Sequence, residues 1–412
     1  MKESGHVKPP MAAAKEPTTA SRTGTWRFEK PVFTSRLAPC SEACPMGQDI
    51  PAIMALNSRG QFDEAFRKIL EENPFPGICG RICFHPCERV CNRGRFDEAV
   101  SIQDLERFAF EEASAKGLQE KKGNAEKGSK VAVIGSGVAG LSCAWFLNRC
   151  GHRVTIFEKG RHLGILDLAG DHSGVAENDL EWEARRILSA GVAIETGMAD
   201  DEALVPELAR EFEAAYRSPG KNMEPARKGK GVNHHDTGFL LLEEEGKEMD
   251  PSEVDPTRAV VRQMAVGKRA ALTLDLSLKG RSLESMETCA VGRLGAYSME
   301  ACLLSSEGRP VKPLRDVVRI EDLNVAHFNK IPRARPSSVR GRYTKSQAVS
   351  SAKRCFQCGT CNFCSRCYDY CPDLAIRMNA KEKRREIDYD HCKGCGICAE
   401  ECPRGAIAWV RE

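Results

Sequence analysis

The segment CNFCSRCYDYCPDLAI, at residues 361–376, is followed by a second copy, CKGCGICAEECPRGAI, at residues 392–407. The two copies agree at all four cysteines, at the proline and at the closing Ala-Ile, so each reads C-x2-C-x2-C-x3-C-P. A short unit so rich in thiols, present twice, indicates a duplicated ligand-binding loop rather than a solenoid repeat.

This spacing suits a [4Fe–4S] cubane, because three thiols on one tight loop can bind three irons and the fourth ligand must come from elsewhere. In chains with two such runs, the fourth Cys of each run binds the other cluster. The alternative, a zinc ribbon, needs two C-x2-C knuckles instead of two runs of four. The predicted ligands are Cys361, Cys364, Cys367 and Cys402 for one cluster, and Cys392, Cys395, Cys398 and Cys371 for the other.

Composition supports bound metal rather than disulfides. The chain has 412 residues, 20 of them Cys, and a formal net charge of +3, which gives no case for nucleic acid or an anionic membrane as partner. The polar N-terminus lacks the apolar segment of a signal peptide, and no apolar run is long enough for membrane insertion. We therefore expect reduced thiols and a cytoplasmic protein.

A second group of cysteines lies in CSEACP at 40–45 and in ICGRICFHPCERVC at 78–91. Together with VSIQDLERF at 100–108, these segments resemble the N-terminal iron–sulfur domain of the glutamate synthase small subunit. The same module occurs in dihydropyrimidine dehydrogenase and in the flavin subunit of electron-bifurcating transhydrogenase. The resemblance implies an α-helical domain with two [4Fe–4S] clusters, one of which often has a ligand other than Cys.

The resemblance also implies which residues bind each cluster. Cys79 matches a family cysteine that need not be a ligand, and for His85 a position beside the ligands is favoured over iron binding. One cluster would be held by Cys44, Cys83, Cys87 and Glu106, and the other by Cys40 and Cys91 with two more ligands.

Those two further ligands are missing from their usual place. The family has an R-C-L-x-C pair before its first Cys-Pro, whereas this chain has RCFQC at 354–358. We hypothesise that Cys355 and Cys358 fold back to complete the cluster of Cys40 and Cys91. If they are spare thiols instead, one N-terminal cluster is absent, so the expected total is three to four clusters.

The segment KVAVIGSGVAGLSCAWFLNRCGHRVTIFEKG, at residues 130–160, predicts a β-α-β unit that binds a dinucleotide. Its glycines allow a tight turn and the close approach of a pyrophosphate to the helix N-terminus, and its acid can accept from ribose hydroxyls. The fingerprint does not distinguish FAD from NAD, but the resemblance implies FAD. The predicted site residues are Gly135, Gly137, Gly140, Glu158, Lys159 and Gly164.

The resemblance weakens after this unit. Relatives continue with a second dinucleotide fold for NAD(P)H, and no second glycine fingerprint is present here. GFLLLEEEGKEMD, at 238–250, replaces the Gly-Asp pair that relatives place before the last flavin-domain helix. We therefore expect FAD without direct NAD(P)H binding; the alternative is an empty fold kept as a scaffold.

The predicted fold class is multidomain α/β, with a helical iron–sulfur domain, a truncated Rossmann-like FAD-binding domain and a C-terminal α+β two-cluster ferredoxin domain. Helices are expected at 50–70 and 257–278, and irregular chain at 217–255. The predicted boundaries are a flexible tail at 1–30, the N-terminal [4Fe–4S] domain at 31–112, a linker at 113–129, the FAD-binding domain at 130–280, a connector at 281–354 and the ferredoxin domain at 355–412.

These cofactors predict electron transfer, because clusters carry single electrons and a flavin exchanges one or two. The favoured function is an electron-transfer subunit of a larger cytoplasmic oxidoreductase complex, with other subunits and a ferredoxin as candidate partners. The alternatives are an autonomous NAD(P)H:ferredoxin oxidoreductase and a non-catalytic iron–sulfur scaffold. No acid–base residues are assigned.

Overall fold

The structure is a computed structural model of the chain. It describes residues 23–118, 128–170, 174–198, 201–219, 223–225, 232–234, 240–243, 246–248, 256–311, 313–334, 342–379 and 381–412. Most of the predicted tail, most of the predicted linker and parts of the stretch 217–255 lie outside these ranges. No helix among the described residues is long and apolar enough to cross a membrane.

Helices and strands are numbered in chain order. The α-helices are α1 (Pro39–Ala43), α2 (Ile50–Ser58), α3 (Phe62–Leu70), α4 (Pro76–Ile82), α5 (Pro86–Arg89), α6 (Ile102–Ala115), α7 (Val138–Arg149), α8 (Glu177–Ser189), α9 (Asp201–Glu211), α10 (Pro256–Leu278), α11 (Met299–Ser306), α12 (Lys345–Lys353), α13 (Arg366–Asp369) and α14 (Ile397–Glu400). The strands are β1 (Glu29–Phe33), β2 (Lys130–Ile134), β3 (Arg153–Glu158), β4 (Ala193–Thr196), β5 (Ala214–Arg217), β6 (Met223–Pro225), β7 (Val232–His234), β8 (Leu240–Glu243), β9 (Gly246–Glu248), β10 (Ala290–Val291), β11 (Ala296–Tyr297), β12 (Ile376–Asn379), β13 (Arg384–Ile387) and β14 (Ile407–Arg411).

The N-terminal region is helical, but the single helix expected at 50–70 is wrong. The structure has α2 and α3 instead, separated by Gly60 with a φ of +73°. Glycine tolerates this left-handed conformation, so the chain turns there and α3 packs back on α2 and α6. Leu105 and Ala109 of α6 are fully buried in this helical core.

The β-α-β unit is confirmed as β2, α7 and β3, with β2 and β3 parallel. Their sheet has the order β4-β3-β2-β5-β8-β7, and only β7 pairs antiparallel with its neighbour. The expected helix at 257–278 is also confirmed as α10. It packs closely on α7, where a Cβ at Gly267 would lie 2.1 Å from the carbonyl oxygen of Ala139.

Two predicted irregular regions contain regular structure. The stretch 217–255 includes β8, whose Leu240–Leu242 are buried and pair in parallel with β5. The connector at 281–354 includes α11 and α12, and α12 packs against α2 and α6. Periodicity missed α12 because the helix is short and rich in Ser and Ala; Thr344 caps it by accepting from Gln347 N at 3.2 Å.

The C-terminal region contains two short antiparallel pairs of strands. One is β12 with β13, and the other joins β14 to β1, with Glu29 opposite Arg411 and Phe33 opposite Ile407. The predicted boundary at residue 30 is therefore wrong, since Glu29 and Lys30 belong to this sheet. Strand β1, near the start of the chain, completes the C-terminal domain.

Candidate functional site

The first ferredoxin cysteines surround a cavity. Cys361, Cys364, Cys367 and Cys402, here called ferredoxin set 1, line an empty volume of about 320 Å³ together with Phe33, Met378 and Ile407. Burial raises the pKa of the Cys367 thiol to about 12, and Cys361 and Cys402 raise it further through their negative charge. The structure thus places the fourth Cys of the second run beside the first three of the first run.

The second copy of the motif forms the corresponding arrangement, with the fourth Cys of the first run beside the first three Cys of the second run. Cys371, Cys392, Cys395 and Cys398, here called ferredoxin set 2, line a second cavity of about 310 Å³. In both sets a backbone N–H donates to the crossing thiol, from Ala375 to Cys371 at 3.3 Å and from Ala406 to Cys402 at 3.4 Å. Such donors favour thiolate sulfur and influence the potential of a cluster.

The structure places the two cysteines of RCFQC near Cys40 and Cys91, as the fold-back hypothesis predicts. Cys40, Cys91, Cys355 and Cys358 lie within electrostatic range of one another and are here called N-terminal set 1. Burial, followed by the charge of neighbouring thiols, raises the pKa of Cys40 well above its usual value and that of Cys355 to about 12. Four thiols brought together in this way fit a cluster site, since iron binding displaces thiol protons.

Arg354 holds this fold-back in place. Its buried guanidinium donates to Ile331 O at 2.8 Å, Ala99 O at 3.0 Å and Asp97 Oδ1 at 2.9 Å. Arg93 in turn donates to Arg354 O at 3.2 Å and lies over the ring of Phe356. Sequence reasoning quoted the Arg of RCFQC but did not assign it this anchoring position.

Asn92 is a further residue that the sequence analysis missed. Its side-chain amide donates to Cys358 Sγ at 3.5 Å and to Val318 O at 3.1 Å. The amide therefore ties the fold-back to the connector. Its position directly after Cys91 is the signal that could have identified it.

The remaining N-terminal ligand candidates also converge. Cys44, Cys83, Cys87 and Glu106, here called N-terminal set 2, lie within electrostatic range of one another. Glu106 Oε1 accepts from Asn73 Nδ2 at 2.8 Å and from Gln48 Nε2 at 3.1 Å.

These hydrogen bonds point the Glu106 carboxylate into the set. Burial raises its pKa to about 7, although the bonds from Gln48 and Asn73 oppose the shift. Asn73 and Gln48 therefore position the Glu106 carboxylate, and no sequence motif predicted this.

Cys79 and His85 flank N-terminal set 2. Cys79 is 3% exposed, and its Sγ lies 3.8 Å from Met264 Sδ. His85 has a left-handed φ of +48°, and its backbone N–H donates to Cys83. That Cys79 need not be a ligand, and that His85 has a position beside the ligands or at the surface, stay predictions.

Within the described ranges, no three His, Cys, Asp or Glu side chains converge tightly enough to hold a single metal ion. The ligands of a cubane stand farther apart than those of one ion, because each thiolate binds a different iron. The four sets have the donor chemistry of such clusters. Iron ligation by these residues stays a prediction.

The glycine loop has the geometry expected around a pyrophosphate. Gly135 has a φ of +98°, and a Cβ at Gly140 would lie 1.9 Å from Gly135 O, so these two glycines are needed for the turn and the packing. A Cβ at Gly137 would meet nothing within 4 Å. The space above Gly137 is therefore open at the helix N-terminus, where a phosphate binds.

Glu158 is already hydrogen bonded to the loop. Its Oε2 accepts from Ser136 N at 2.7 Å and from the Ser136 hydroxyl, and its Oε1 accepts from Gly160 N at 2.9 Å. Gly164 N donates to Ser136 Oγ at 2.7 Å, whereas Lys159 is exposed. Burial opposes the charged form, but these bonds lower the pKa of Glu158 and keep it an acceptor for ribose hydroxyls.

Thiols of different sets lie near one another. Cys367 of ferredoxin set 1 lies within electrostatic range of Cys398 of ferredoxin set 2, and Cys40 of N-terminal set 1 lies within range of Cys87 of N-terminal set 2. The half-buried Arg404 links the two halves, since its guanidinium interacts electrostatically with Cys364 of ferredoxin set 1 and with Cys355 of N-terminal set 1.

Three family models match separate segments of this chain. Residues 33–118 match a dihydropyrimidine dehydrogenase domain II that carries a 4Fe-4S cluster, and residues 133–185 match an NAD(P)-binding Rossmann-like domain. Residues 385–408 match a 4Fe-4S binding domain. The chain therefore contains iron–sulfur domains on both sides of a Rossmann-like domain, which confirms the predicted fold class.

Curated relatives include the NADPH-Fe(3+) oxidoreductase subunit beta of Geobacter sulfurreducens, 34% identical over 49% of this chain and 30% of the relative. The NADP(+)-dependent formate dehydrogenase subunit beta of Moorella thermoacetica is 31% identical over 51% of this chain and 32% of the relative. The glutamate synthase [NADPH] small chain of Bacillus subtilis is 31% identical over 49% of this chain and 42% of the relative. The predicted resemblance is confirmed.

The match is partial. The chain spans about a third of the length of the first two of these relatives. Among solved structures, histamine dehydrogenase from Rhizobium sp. 4-9 aligns with 29% of this chain at 23% identity and a TM-score of 0.20, a likeness too low to carry an argument.

Proposed function

We propose that this chain is an electron-transfer subunit of a larger oxidoreductase complex, carrying FAD and up to four [4Fe–4S] clusters. The observation that carries the proposal is the proximity of the four thiol sets to one another, with Arg404 between ferredoxin set 1 and N-terminal set 1. Clusters exchange single electrons and a flavin one or two, so such a row suits transfer between partner subunits. The names of the relatives as subunits support the same reading.

The proposed ligands are the four sets defined above. Ferredoxin sets 1 and 2 would each hold one cluster, N-terminal set 1 would hold a third through the fold-back of Cys355 and Cys358, and N-terminal set 2 a fourth with Glu106. The four thiols that line each of two similar cavities support this assignment for the ferredoxin sets. It requires the reducing environment of the cytoplasm.

We propose FAD for the Rossmann-like domain. Gly135 and Gly140 form the tight turn, Gly137 leaves room for the pyrophosphate, and Glu158 presents carboxylate oxygens to the ribose. Hydride exchange with NAD(P)H would belong to another subunit, because this chain has no second glycine fingerprint. Measurable nicotinamide binding by the purified chain would instead favour an autonomous NAD(P)H:ferredoxin oxidoreductase.

The first test is anaerobic purification from the native source, with iron, acid-labile sulfide and flavin quantified and co-purifying subunits identified. Fourteen to sixteen irons and one FAD per chain, with at least one redox partner, is the expected result if all sites fill; twelve irons would indicate three clusters. Colourless protein without labile sulfide would reject the cluster proposal, and clusters without flavin would support the scaffold alternative.

Ligand assignments are tested by substitution. Cys395→Ala should remove the cluster of ferredoxin set 2 and weaken folding there, because metal binding contributes folding energy. Cys355→Ala and Cys40→Ala should remove the same electron paramagnetic resonance signal. Loss of two distinct signals by these two variants would reject the fold-back.

A further inference from the structure

A basic hairpin belongs to the ferredoxin domain. Strands β12 and β13 pair antiparallel, from Ile376 opposite Ile387 to Asn379 opposite Arg384. The whole chain is nearly balanced, with 61 cationic and 58 acidic residues, whereas the stretch 376–387 has five cationic residues and two acidic ones. Positive charge is thus concentrated on one short element. The cationic residues are Arg377, Lys381, Lys383, Arg384 and Arg385, and the acidic residues are Glu382 and Glu386.

Part of this charge is not balanced by ion pairs. Arg377 pairs with Asp388 at 3.3 Å, and Arg384 pairs with Glu386 at 2.7 Å. Four charged residues of the hairpin make no ion pair within the described part of the chain, and three of them are cationic. They are Lys381, Lys383 and Arg385, with Glu382 as the acidic one; all but Arg385 are exposed.

The hairpin lies against ferredoxin set 1. Met378 of β12 lines the cavity of this set, and its Sδ lies 3.5 Å from Cys367 Sγ. Arg385 of β13 lies over the ring of Phe363, with the guanidinium carbon 5.8 Å from the ring centroid. Phe363 directly precedes Cys364, the most exposed cysteine of this set. A protein bound to the hairpin would therefore stand close to ferredoxin set 1.

The surface next to the hairpin is uncovered, unlike its counterpart in the second copy of the motif. Helix α13 packs against β12, and Tyr368 and Tyr370 at its end are 45% and 43% exposed. In the second copy Glu401 takes the place of Tyr370, and the connector covers it, with His327 Nε2 at 2.8 Å from Glu401 Oε2. The chain thus occupies one of two duplicated surfaces and leaves two tyrosines exposed on the other.

We propose that Lys381, Lys383 and Arg385, with Tyr368 and Tyr370, form the docking surface for a small acidic electron-carrier protein. One electron leaves the reduced carrier and the cluster of ferredoxin set 1 accepts it, so the exchange needs no other reactant. The inference rests on the proposed function, because it requires that cluster.

The chemistry of the surface favours this partner. Interfaces are enriched in aromatic residues and Arg, complementary charge accelerates the encounter of two proteins, and electron-transfer complexes need only a small contact area. Glu382 stands between the two lysines and would repel a continuous run of phosphates. An acidic protein is therefore favoured over nucleic acid or an anionic membrane.

The first test measures binding of an acidic ferredoxin, and separately of an acidic flavodoxin, to the anaerobically purified holoprotein by titration calorimetry. The affinity should fall at least about tenfold between about 10 and 150 mM salt, as the Debye length falls from about 30 to about 8 Å. The double variant Lys381→Glu/Lys383→Glu should weaken binding at low salt at least about tenfold, because like charges then oppose the carrier.

A matched control makes the same change of charge elsewhere. Arg59 and Arg293 are exposed, make no ion pair within the described residues and lie outside the ferredoxin domain. Arg59→Glu/Arg293→Glu should therefore leave the affinity unchanged. Iron content and reduction by dithionite are measured on each variant; wild-type protein without reducible clusters would refute the proposed function itself, whereas intact clusters confine a failure to the docking surface.

Cross-linking locates the contact. A carbodiimide joins Lys amines directly to carboxylates, so peptides of the carrier should be joined at Lys381 or Lys383 and not at Lys130 of β2, which is partly exposed. Binding of neither carrier, or equal weakening by the control variant, would overturn the proposal. Binding of phosphatidylglycerol vesicles that Lys381→Glu/Lys383→Glu abolishes, with neither carrier bound, would assign the hairpin to an anionic membrane and overturn it as well.

Discussion

Arg404 donates through its guanidinium to the carbonyl oxygen of Phe356, and Gly359 N donates back to Arg404 O at 2.6 Å. Phe356 lies between Cys355 and Cys358 of N-terminal set 1, whereas Arg404 lines the cavity of ferredoxin set 1. A single half-buried cation therefore joins two proposed cluster sites, ferredoxin set 1 and N-terminal set 1.

Arg404→Gln should lower the reduction potentials of both neighbouring clusters. Reduction adds negative charge, which the nearby Arg404 guanidinium stabilises, so its removal disfavours the reduced state. We expect the reduction equilibrium of each cluster to fall about tenfold, or about 59 mV for one electron. Redox titration followed by electron paramagnetic resonance measures both potentials.

Two controls accompany this measurement. Arg404→Lys keeps the positive charge, so both reduction potentials should stay close to those of the wild-type protein. Arg384→Gln removes an exposed Arg that pairs with Glu386 at 2.7 Å, and it should change neither potential. Equal potentials in Arg404→Gln and wild type would show that the guanidinium has no electrostatic effect on the clusters.

Arg354→Ala should release the fold-back and remove the cluster of N-terminal set 1. The variant removes one of the two guanidinium groups that donate to Asp97 and leaves three carbonyl oxygens without this donor, which costs about 1–3 kcal/mol for buried groups left unsatisfied. Iron content and the free energy of unfolding in urea test this. Arg342→Ala, which removes an exposed partner of Glu111, is the matched control; a full iron complement in Arg354→Ala would contradict the anchoring function.

Glu183 makes the stability of the fold depend on pH. It is fully buried on α8, accepts from Gly77 N of α4 at 2.7 Å, and burial raises its pKa to about 7 despite Arg186 nearby. The pKa of Glu183 in the folded protein exceeds its ordinary value of 4.5. The stabilisation that protonated Glu183 gives the fold is therefore complete below about pH 4.5 and is lost as the pH rises through 7.

The resulting decrease in the free energy of unfolding is roughly 3 kcal/mol at most, because each unit of pKa shift corresponds to about 1.36 kcal/mol. Urea unfolding between pH 5 and 8 should show this decline in wild type, and Glu183→Gln should flatten it. Glu181→Gln, on the same helix but more exposed, should keep the slope. A slope shared by wild type and Glu183→Gln would assign the pH dependence to other groups.

Gly137→Ala and Gly140→Ala separate flavin binding from folding. An added methyl group at residue 137 meets no protein atom but enters the space proposed for the pyrophosphate, so flavin should be lost with little change in melting temperature. At residue 140 it would collide with Gly135 O, so stability should fall whether or not flavin binds. If Gly137→Ala keeps its full flavin content, the pyrophosphate does not lie above this loop.

The sequence predicted the parts that local spacing dictates. The crossing of Cys371 and Cys402 between runs follows from the duplicated motif, and the β-α-β unit follows from strand, glycines and helix in order. The fold-back of Cys355 and Cys358 was predicted from the family resemblance and from the number of cysteines without an assigned cluster. The structure places these thiols near Cys40.

Long-range contacts were beyond that reasoning. The pairing of Glu29–Phe33 with Ile407–Arg411, the strand at Leu240–Glu243 and the anchor of Arg354 on residues 97–99 depend on tertiary packing that no local pattern encodes. Gly60 was overlooked because the apolar spacing on both sides of it suits a single helix.

The pairing of β1 with β14 has a consequence for biosynthesis. A ribosome delivers Cys40 long before Cys355, and the intervening 315 positions take roughly 15–60 s to translate. During that interval the first strand has no partner and half of a thiol quartet stands incomplete. Iron loading of this quartet therefore cannot be completed before Cys355 and Cys358 have been synthesised, so factors that deliver clusters would act late on this part of the chain.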